Sequence, residues 1–323
     1  MQPLVSILIP TYEPNPAFLK EAIDSAIAQT ETRWTMLIHD DCSTADVESM
    51  VKDYQKDPRI TFTRSPVRLG IGGNWNACLK MCHGEPVEPR PPFIQFLFQD
   101  DIWKPTYLAH MITALEENPS AGFASGGHIY ACDISHEIEK LYQDVHRTRE
   151  YFKTGLHDGS TLLKDWITQE LHPNIIGEPS FVMLRRSLVD SVGPFAEDMP
   201  QFLDVEYWTR CLLKADWVWV KGNLGSFRVH EAGASAQNQV SGAGIYDRLR
   251  CFEQIIHSLP SSDLKIAAIK ARNKALDGMA KKFLHRLRGK KKIPTQGSSG
   301  MWKFAMRHPV LMMRSLLRAI FSL

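Results

Sequence analysis

An α/β fold built on a mostly parallel sheet is the architecture this sequence predicts, and two observations carry the prediction. Strand-like apolar runs alternate with amphipathic helical segments over roughly the first 130 residues. Two of those runs end in adjacent carboxylates, Asp40-Asp41 and Asp100-Asp101. In a parallel sheet covered on both faces, ligands bind beyond the carboxyl ends of the strands, where both acidic pairs would stand.

Val5-Ser6-Ile7-Leu8-Ile9 is a buried strand stopped by Pro10. Asn15-Pro16 then caps a helix and starts it with proline, and Phe18, Leu19, Ala22, Ile23, Ala26 and Ile27 follow at helical spacing. Thr35 to His39 is a second strand that runs into Asp40-Asp41-Cys42-Ser43, followed by a helix with Val47, Met50, Val51 and Tyr54 on one face. Ile60 to Thr63 is a third strand. The glycine-rich Arg68-Leu69-Gly70-Ile71-Gly72-Gly73 leads from it into a helix from about Asn74 to Cys82. Phe93 to Phe98 is a fourth strand, ending in Gln99-Asp100-Asp101, and Leu108, Met111, Ile112 and Leu115 mark the helix behind it.

The second half is less regular. Residues 85–92, with four prolines, read as a surface loop, and the polar stretch 133–160 as a mobile excursion. Phe181 to Leu184 reads as a strand and Val205 to Ala215 as a helix beginning at Asp204. Trp217 to Val220 and Ser226 to Val229 are expected to pair across Gly222-Asn223. Helices are expected over Ile245–Ser258 and Asp263–Arg288.

Length and composition frame this reading. At 323 residues, 44% hydrophobic and 23% charged, the chain has room for one large α/β domain with additions or for two small domains. We expect a catalytic domain over 1–240 and a helical extension over 241–323. No basic stretch with an apolar core precedes the first strand, and no window reaches 18 uninterrupted apolar residues, so neither a secretory signal nor a spanning helix is expected. The six cysteines form no CxxC pair. Cys78 and Cys82 stand four apart in a helix without a matching second pair, which favours buried reduced thiols and a cytoplasmic setting.

Net charge is only +2, but eleven cations and no acid follow Asp277, leaving 27 basic against 36 acidic residues up to and including it. A mildly acidic body with a basic tail suggests that the tail meets an anionic surface.

Adjacent carboxylates at a strand end are costly to bury, so Asp100 and Asp101 should be solvated or bound to a cation. Mg²⁺ or Mn²⁺ is held by one or two carboxylates, with substrate phosphates and waters completing its shell. The competing reading is a helix cap ahead of Pro105. At Asp40-Asp41-Cys42-Ser43, a carboxylate suits hydrogen bonds from a base or ribose, and turn capping is the alternative. The turn before Asn74 suits close approach of phosphate to a helix start, yet matches neither a GxGxxG nor a Walker pattern. Asp204 fits a helix cap and equally a general base. His230, after Phe227-Arg228-Val229, is a candidate for metal or diphosphate, against an ordinary surface histidine.

In order, Val5 to Tyr12, Asp40 to Ser43, Gly72-Gly73-Asn74-Trp75-Asn76, Gln99-Asp100-Asp101, Arg185 to Val189 before Gly193-Pro194-Phe195, Asp204 to Trp208 and Phe227 to His230 give the chain a resemblance to the family 2 glycosyltransferases. It covers about residues 3–235. The resemblance implies a GT-A fold, a Rossmann-like mostly parallel sheet flanked by helices, and an inverting, non-processive, metal-dependent transfer from a nucleotide-diphosphate sugar. Pro10, Thr11, Tyr12, Asp40, Asp41, Asn74 and Asp100 would then contact the donor nucleotide, of UDP type. Asp101 would ligate Mn²⁺ or Mg²⁺, His230 would help hold metal or diphosphate, and Asp204 would take the proton from the acceptor hydroxyl. Three positions depart from the pattern. Gln99 replaces the first acid of the usual DxD, Cys42 stands where glycine is frequent, and Leu203 precedes Asp204 where an acid is common. The QxxRW sequence and multiple membrane helices of processive synthases are absent.

In the tail, Val310, Met313, Leu317, Ile320 and Phe321 recur at helical spacing among cations. Such a helix suits an anionic membrane interface, which would place the protein on the inner face of the cell membrane beside a sugar or lipid-linked acceptor. Packing on the protein is the alternative, and nucleic-acid binding is disfavoured for want of a recognisable module. Bacterial surface polysaccharide or glycolipid synthesis is the expected setting. The rivals are a nucleotidyltransferase and a non-catalytic nucleotide-sugar-binding or scaffold protein of the same fold. A dinucleotide dehydrogenase lacks its glycine fingerprint here.

Overall fold

The computed structural model describes residues 2–83, 90–132, 136–229, 243–259, 262–287 and 304–321. The expected proline-rich loop lies outside them up to residue 89, as does His230. The chain divides into two compact units, residues 1–162, 174–198 and 203–230 in the first, and residues 163–173, 199–202 and 231–323 in the second.

The first unit is built on an eight-stranded sheet. At its centre β1 (Val5–Thr11), buried along its whole length, pairs in parallel with β2 (Trp34–Asp40) and with β4 (Phe93–Phe96), and β3 (Ile60–Arg64) extends β2. Beyond β4 come β9 (Val182–Arg185), antiparallel to its neighbours, then β6 (Ala121–Gly126), β10 (Asp216–Val220) and the antiparallel edge β8 (Gly155–His157). Strand order reverses between β1 and β4, which makes the carboxyl ends of β1, β2 and β4 the natural ligand crevice.

Helices cover both faces. In α1 (Pro16–Ile27), Asn15 caps the Ala17 and Phe18 amides and Pro16 opens the first turn, as the sequence predicts. A short α2 (Val47–Val51) is capped by Asp46, α4 (Tyr107–Glu116) buries Leu108, Met111, Ile112 and Leu115, and α7 (Arg186–Val192) follows directly on β9. α3 (Gly70–His83) starts four residues before the expected Asn74, because Gly70 at φ +79° turns the chain into the helix. Trp75 of α3 stacks on Phe98 at 4.9 Å between centroids and meets Phe195 edge-on, and Phe195 in turn stacks on Tyr207 of α8 (Leu203–Leu212) at 3.9 Å.

A second sheet joins β5 (Ile102–Trp103), β11 (Gly225–Val229) and β7 (Ile129–Cys132). The expected pairing of Trp217–Val220 with Ser226–Val229 therefore does not form: β10 lies in the large sheet with Trp217 and Trp219 buried, and β11 crosses to the small one. The chain leaves β10 at Gly222, φ +136°, whose carbonyl would lie 2.2 Å from a Cβ on Gly127. The close approach of two backbones holds this crossing.

The described part of the stretch 133–160, residues 136–160, carries regular secondary structure. It forms α5 (His136–Glu150), then β8 and the start of α6 (Gly159–Thr168). Arg149 at the end of α5 is buried and paired with Glu178.

The second unit contains α9 (Ala243–Ser258), α10 (Asp263–Leu287) and α11 (Pro309–Phe321). Leu249, Leu276, Met279, Phe304 and Met312 share its core, and Arg272–Glu253 at 2.6 Å and Arg318–Asp277 at 2.8 Å tie the helices. Among the described residues no helix is long and apolar enough to cross a membrane. The five cysteines with described side chains are thiols rather than disulfides, and Cys78 and Cys82 are fully buried.

Candidate active site

At the carboxyl ends of β1 and β2 the loops are stitched by side chains. Asp40 is fully buried and receives the Ser43 amide at 3.0 Å, the Ser43 hydroxyl at 2.5 Å and the Thr11 hydroxyl at 3.3 Å. Asp41 accepts the Leu69 and Gly70 amides at 2.6 and 2.9 Å, clamping the turn into α3. Asn74 donates to the Thr11 carbonyl at 3.1 Å. Glu13, at φ +43°, accepts the Thr44 amide and hydroxyl and donates its own amide to Ser43 Oγ. Thus Thr11, Asp40, Asp41 and Asn74 converge at one place, and they do so through one another, with Asp40 engaged by internal donors. Pro10 is a buried residue of β1. Tyr12 is half-buried and carries the Arg68 guanidinium 4.1 Å above its ring, so a flat cationic surface borders this end of the crevice.

After β4, Gln99 bonds both ways to the backbone of Tyr12, accepting its amide at 2.9 Å and donating to its carbonyl at 3.2 Å. Asp100 is half-buried. Asp101 is fully buried: Oδ1 accepts the Arg228 amide from β11 at 3.0 Å, and Oδ2 has no hydrogen-bond partner. Burial, reinforced by the neighbouring Asp100 charge, drives the Asp101 carboxyl well above the ordinary carboxylate range. An orphaned buried carboxylate oxygen beside a second acid is costly unless a cation or proton joins it. The pair therefore fits a divalent ion that substrate phosphates and waters complete. Among the described residues no group of three or more His, Cys, Asp or Glu is placed to hold a metal alone. His230, the other expected ligand, is outside those residues.

Asp204 lies in the first turn of α8, one residue inside the helix start rather than ahead of it. Its Oδ1 accepts the Val205 amide at 2.8 Å and Oδ2 accepts Asn174 Nδ2 at 2.8 Å. Trp208 anchors the helix, its indole donating to the Gly177 carbonyl at 2.9 Å. Burial lifts the Asp204 carboxyl to about 7, and the Glu178 charge adds to it.

Behind Asp204 is a polar cluster that sequence reasoning missed. Arg149, 3% exposed, pairs with Glu178 at 3.1 Å and donates to the Tyr130 hydroxyl at 2.7 Å and the Asn174 carbonyl at 2.9 Å. Glu178 also meets His128 at 2.9 Å and accepts the Tyr130 hydroxyl at 2.9 Å. Burial works to raise the Glu178 carboxyl, but the Arg149 charge and the His128 hydrogen bond outweigh it and hold it below the ordinary range. Glu178 is near enough for its charge to raise both Asp101 and Asp204. Arg149, Glu178 and His128 are 21 to 50 positions apart along the chain, so no local pattern announces them.

The comparisons with known proteins agree with this architecture. S. aureus TarS 1–349 in complex with UDP-GlcNAc superposes with a TM-score of 0.64 at 16% identity, covering 99% of this chain and 81% of that one. The mannosyltransferase PcManGT from Pyrobaculum calidifontis, in complex with GDP-Man and Mn²⁺, gives 0.57 at 15% identity, covering 99% and 87%. At such identities the likeness establishes the GT-A-type fold. By sequence, an uncharacterized protein of Mycobacterium tuberculosis is 28% identical over 79% of this chain and 76% of its own length. The Escherichia coli UDP-Glc:alpha-D-GlcNAc-diphosphoundecaprenol beta-1,3-glucosyltransferase is 31% identical over 36% of this chain, and the match spans only 42% of that protein. A Bacillus subtilis glycosyltransferase named for teichuronic acid biosynthesis is 28% identical over 41% of this chain and half of its own length. The sequence pattern of "Glycosyl transferase family 2" matches residues 6–192, more than half of the chain, and the protein belongs to that family.

Proposed function

We propose that the protein transfers a sugar from a nucleoside-diphosphate donor, of UDP type, to an acceptor hydroxyl with inversion at the anomeric carbon. The observation that carries this reading is the buried Asp101 carboxylate, one oxygen without a partner, next to Asp100 at the carboxyl end of β4. That is the chemistry expected where a diphosphate meets a protein through Mg²⁺ or Mn²⁺. The TarS structure with UDP-GlcNAc and the PcManGT structure with GDP-Man and Mn²⁺ support both the donor class and the ion.

In this mechanism Tyr12 and Arg68 border the base, and the clamp of Asp41 on Leu69 and Gly70 shapes the loop around base and ribose. Asp101, with Asp100, would hold the divalent ion, which when bound supplies Lewis acidity toward the leaving diphosphate. Asp204 accepts the proton of the attacking hydroxyl. A carboxyl lifted to about 7 is well matched to that task, because a base works best with a pKa near the working pH. Asn174 aims the carboxylate, and Arg149 holds Asn174 by its carbonyl. The hydroxyl attacks as the carbon–oxygen bond to the diphosphate breaks, so one displacement inverts the centre.

The test is nucleoside-diphosphate release from a panel of nucleotide sugars, with Mn²⁺ or with EDTA, for wild type and Asp101→Ala. Metal-dependent release from one donor, abolished in the variant, supports the reading. Absence of both release and metal-dependent donor binding across the panel overturns it.

A further inference from the structure

The helix α11 (Pro309–Phe321) has two apolar faces, and among the described residues only one of them is packed. Met312 and Ala319, with Ser315 between them, are buried, and Met312 joins the core of α9 and α10. The other face is open: Met306, in the turn just before the helix, is 75% exposed, Val310 55%, Met313 57%, Leu317 48% and Ile320 47%. Their spacing of four, three, four and three residues lines them along one stripe. Single exposed apolar residues are ordinary, but a row of five left exposed among the described residues marks an interaction surface.

We infer that this stripe seats in the interface of an anionic lipid bilayer, with the helix lying in the membrane plane. Charge complementarity selects that occupant. Arg307 and Arg314, seven residues apart and both exposed, flank the stripe along one side. No acidic residue follows Asp277, while eleven cations do. Arginine stems of this kind lie along apolar surface and carry their charge to the headgroups. A second copy of the helix is a poor partner, since a symmetric pairing sets these arginines against one another without a counter-charge. Crossing the membrane is also excluded: 13 residues of helix are roughly 20 Å long, against about 30 Å of hydrocarbon. This inference does not depend on the transferase reading.

The experiment uses the full chain with phosphatidylcholine vesicles, with and without phosphatidylglycerol, read by co-sedimentation and by the fluorescence of Met313→Trp. Binding to the anionic vesicles alone, a blue shift of the new tryptophan and quenching by lipids brominated near the headgroup are expected. Raising the salt should weaken binding as the surface field is screened. Arg314→Gln should lower partitioning about fivefold, near the worth of one cation at an anionic surface. Leu317→Glu should lower it by at least tenfold, with circular dichroism and thermal unfolding confirming that the variant stays folded. Equal binding to both vesicle types, or a tryptophan that stays solvent-like with anionic lipid, overturns the inference. So does a concentration-dependent dimer that Leu317→Glu dissociates in the absence of vesicle binding.

Discussion

The side-chain amide of Gln99 closes a two-way hydrogen-bonded pair with the backbone of Tyr12, at 2.9 and 3.2 Å, joining the loops after β1 and β4. A carboxylate at this position accepts but cannot donate, so Gln99→Glu keeps one bond and sets its charge against the Tyr12 carbonyl. We expect the variant to lose about 1–3 kcal/mol of stability, measured by urea denaturation. Its donor KM should rise, because Tyr12 borders the crevice.

The Asp101 charge is held at the expense of stability. Asp101→Asn removes a buried charge that has one unpartnered oxygen, so in EDTA the variant should be no less stable than wild type. On the proposed reading activity should nonetheless fall by more than about 10²-fold, since Asp101 would be a ligand of the ion. A clear destabilisation with activity retained would show Asp101 to be structural.

With Asp204 as the proposed base, activity and stability should depend on pH with opposite signs. As a base it works deprotonated, so the rate should rise as pH passes through about 7. A carboxyl whose pKa is higher in the folded than in the unfolded chain binds its proton more tightly when folded. Its contribution to stability is therefore complete below about 4 and is lost as pH rises to about 7. Asp204→Asn should flatten that part of the stability profile and lower the rate about 10²–10⁴-fold. Denaturation at a series of pH values, with a pH–rate profile, tests both.

Cys42 sits at φ +59°, in the left-handed region that disfavours a side chain. Cys42→Gly should raise stability by about 0.5–1 kcal/mol, relief of strain being partly offset by unfolded-state entropy. Cys42→Val should lower it, since a branched side chain tolerates this conformation least. Thermal melts decide between these signs.

The Arg149–Glu178 pair is buried, so removing one partner strands the other. Glu178→Gln should cost about 3–5 kcal/mol, and adding Arg149→Met should recover much of that loss. A double-mutant cycle measures the coupling, and simple additivity would contradict it.

How much of this was legible in the sequence follows the range of the interactions. Strand and helix order, the Asn15-Pro16 helix start, the core face of α4 and the placing of two acidic pairs at strand ends all arise from neighbours along the chain. Periodicity and capping are local, so the residues themselves determine them. The requirement for a left-handed residue at 42 was visible only as a departure, because a cysteine there gives no positive signal.

Tertiary structure decided the remainder. It brought the Thr11 hydroxyl to Asp40 and the Leu69 and Gly70 amides to Asp41, and left Asp101 with an unpartnered oxygen under β11. It brought Arg149, Glu178, Asn174 and His128 together behind Asp204, and sent β10 and β11 into different sheets. It also divided the apolar residues of α11 into a packed face and an open one. The sequence by itself determined which side chains have chemistry to offer, since that is a property of each residue. Which of them keep a lone pair, a charge or an apolar face uncovered depends on distant segments that compete for the same atoms, and only folding resolves that competition.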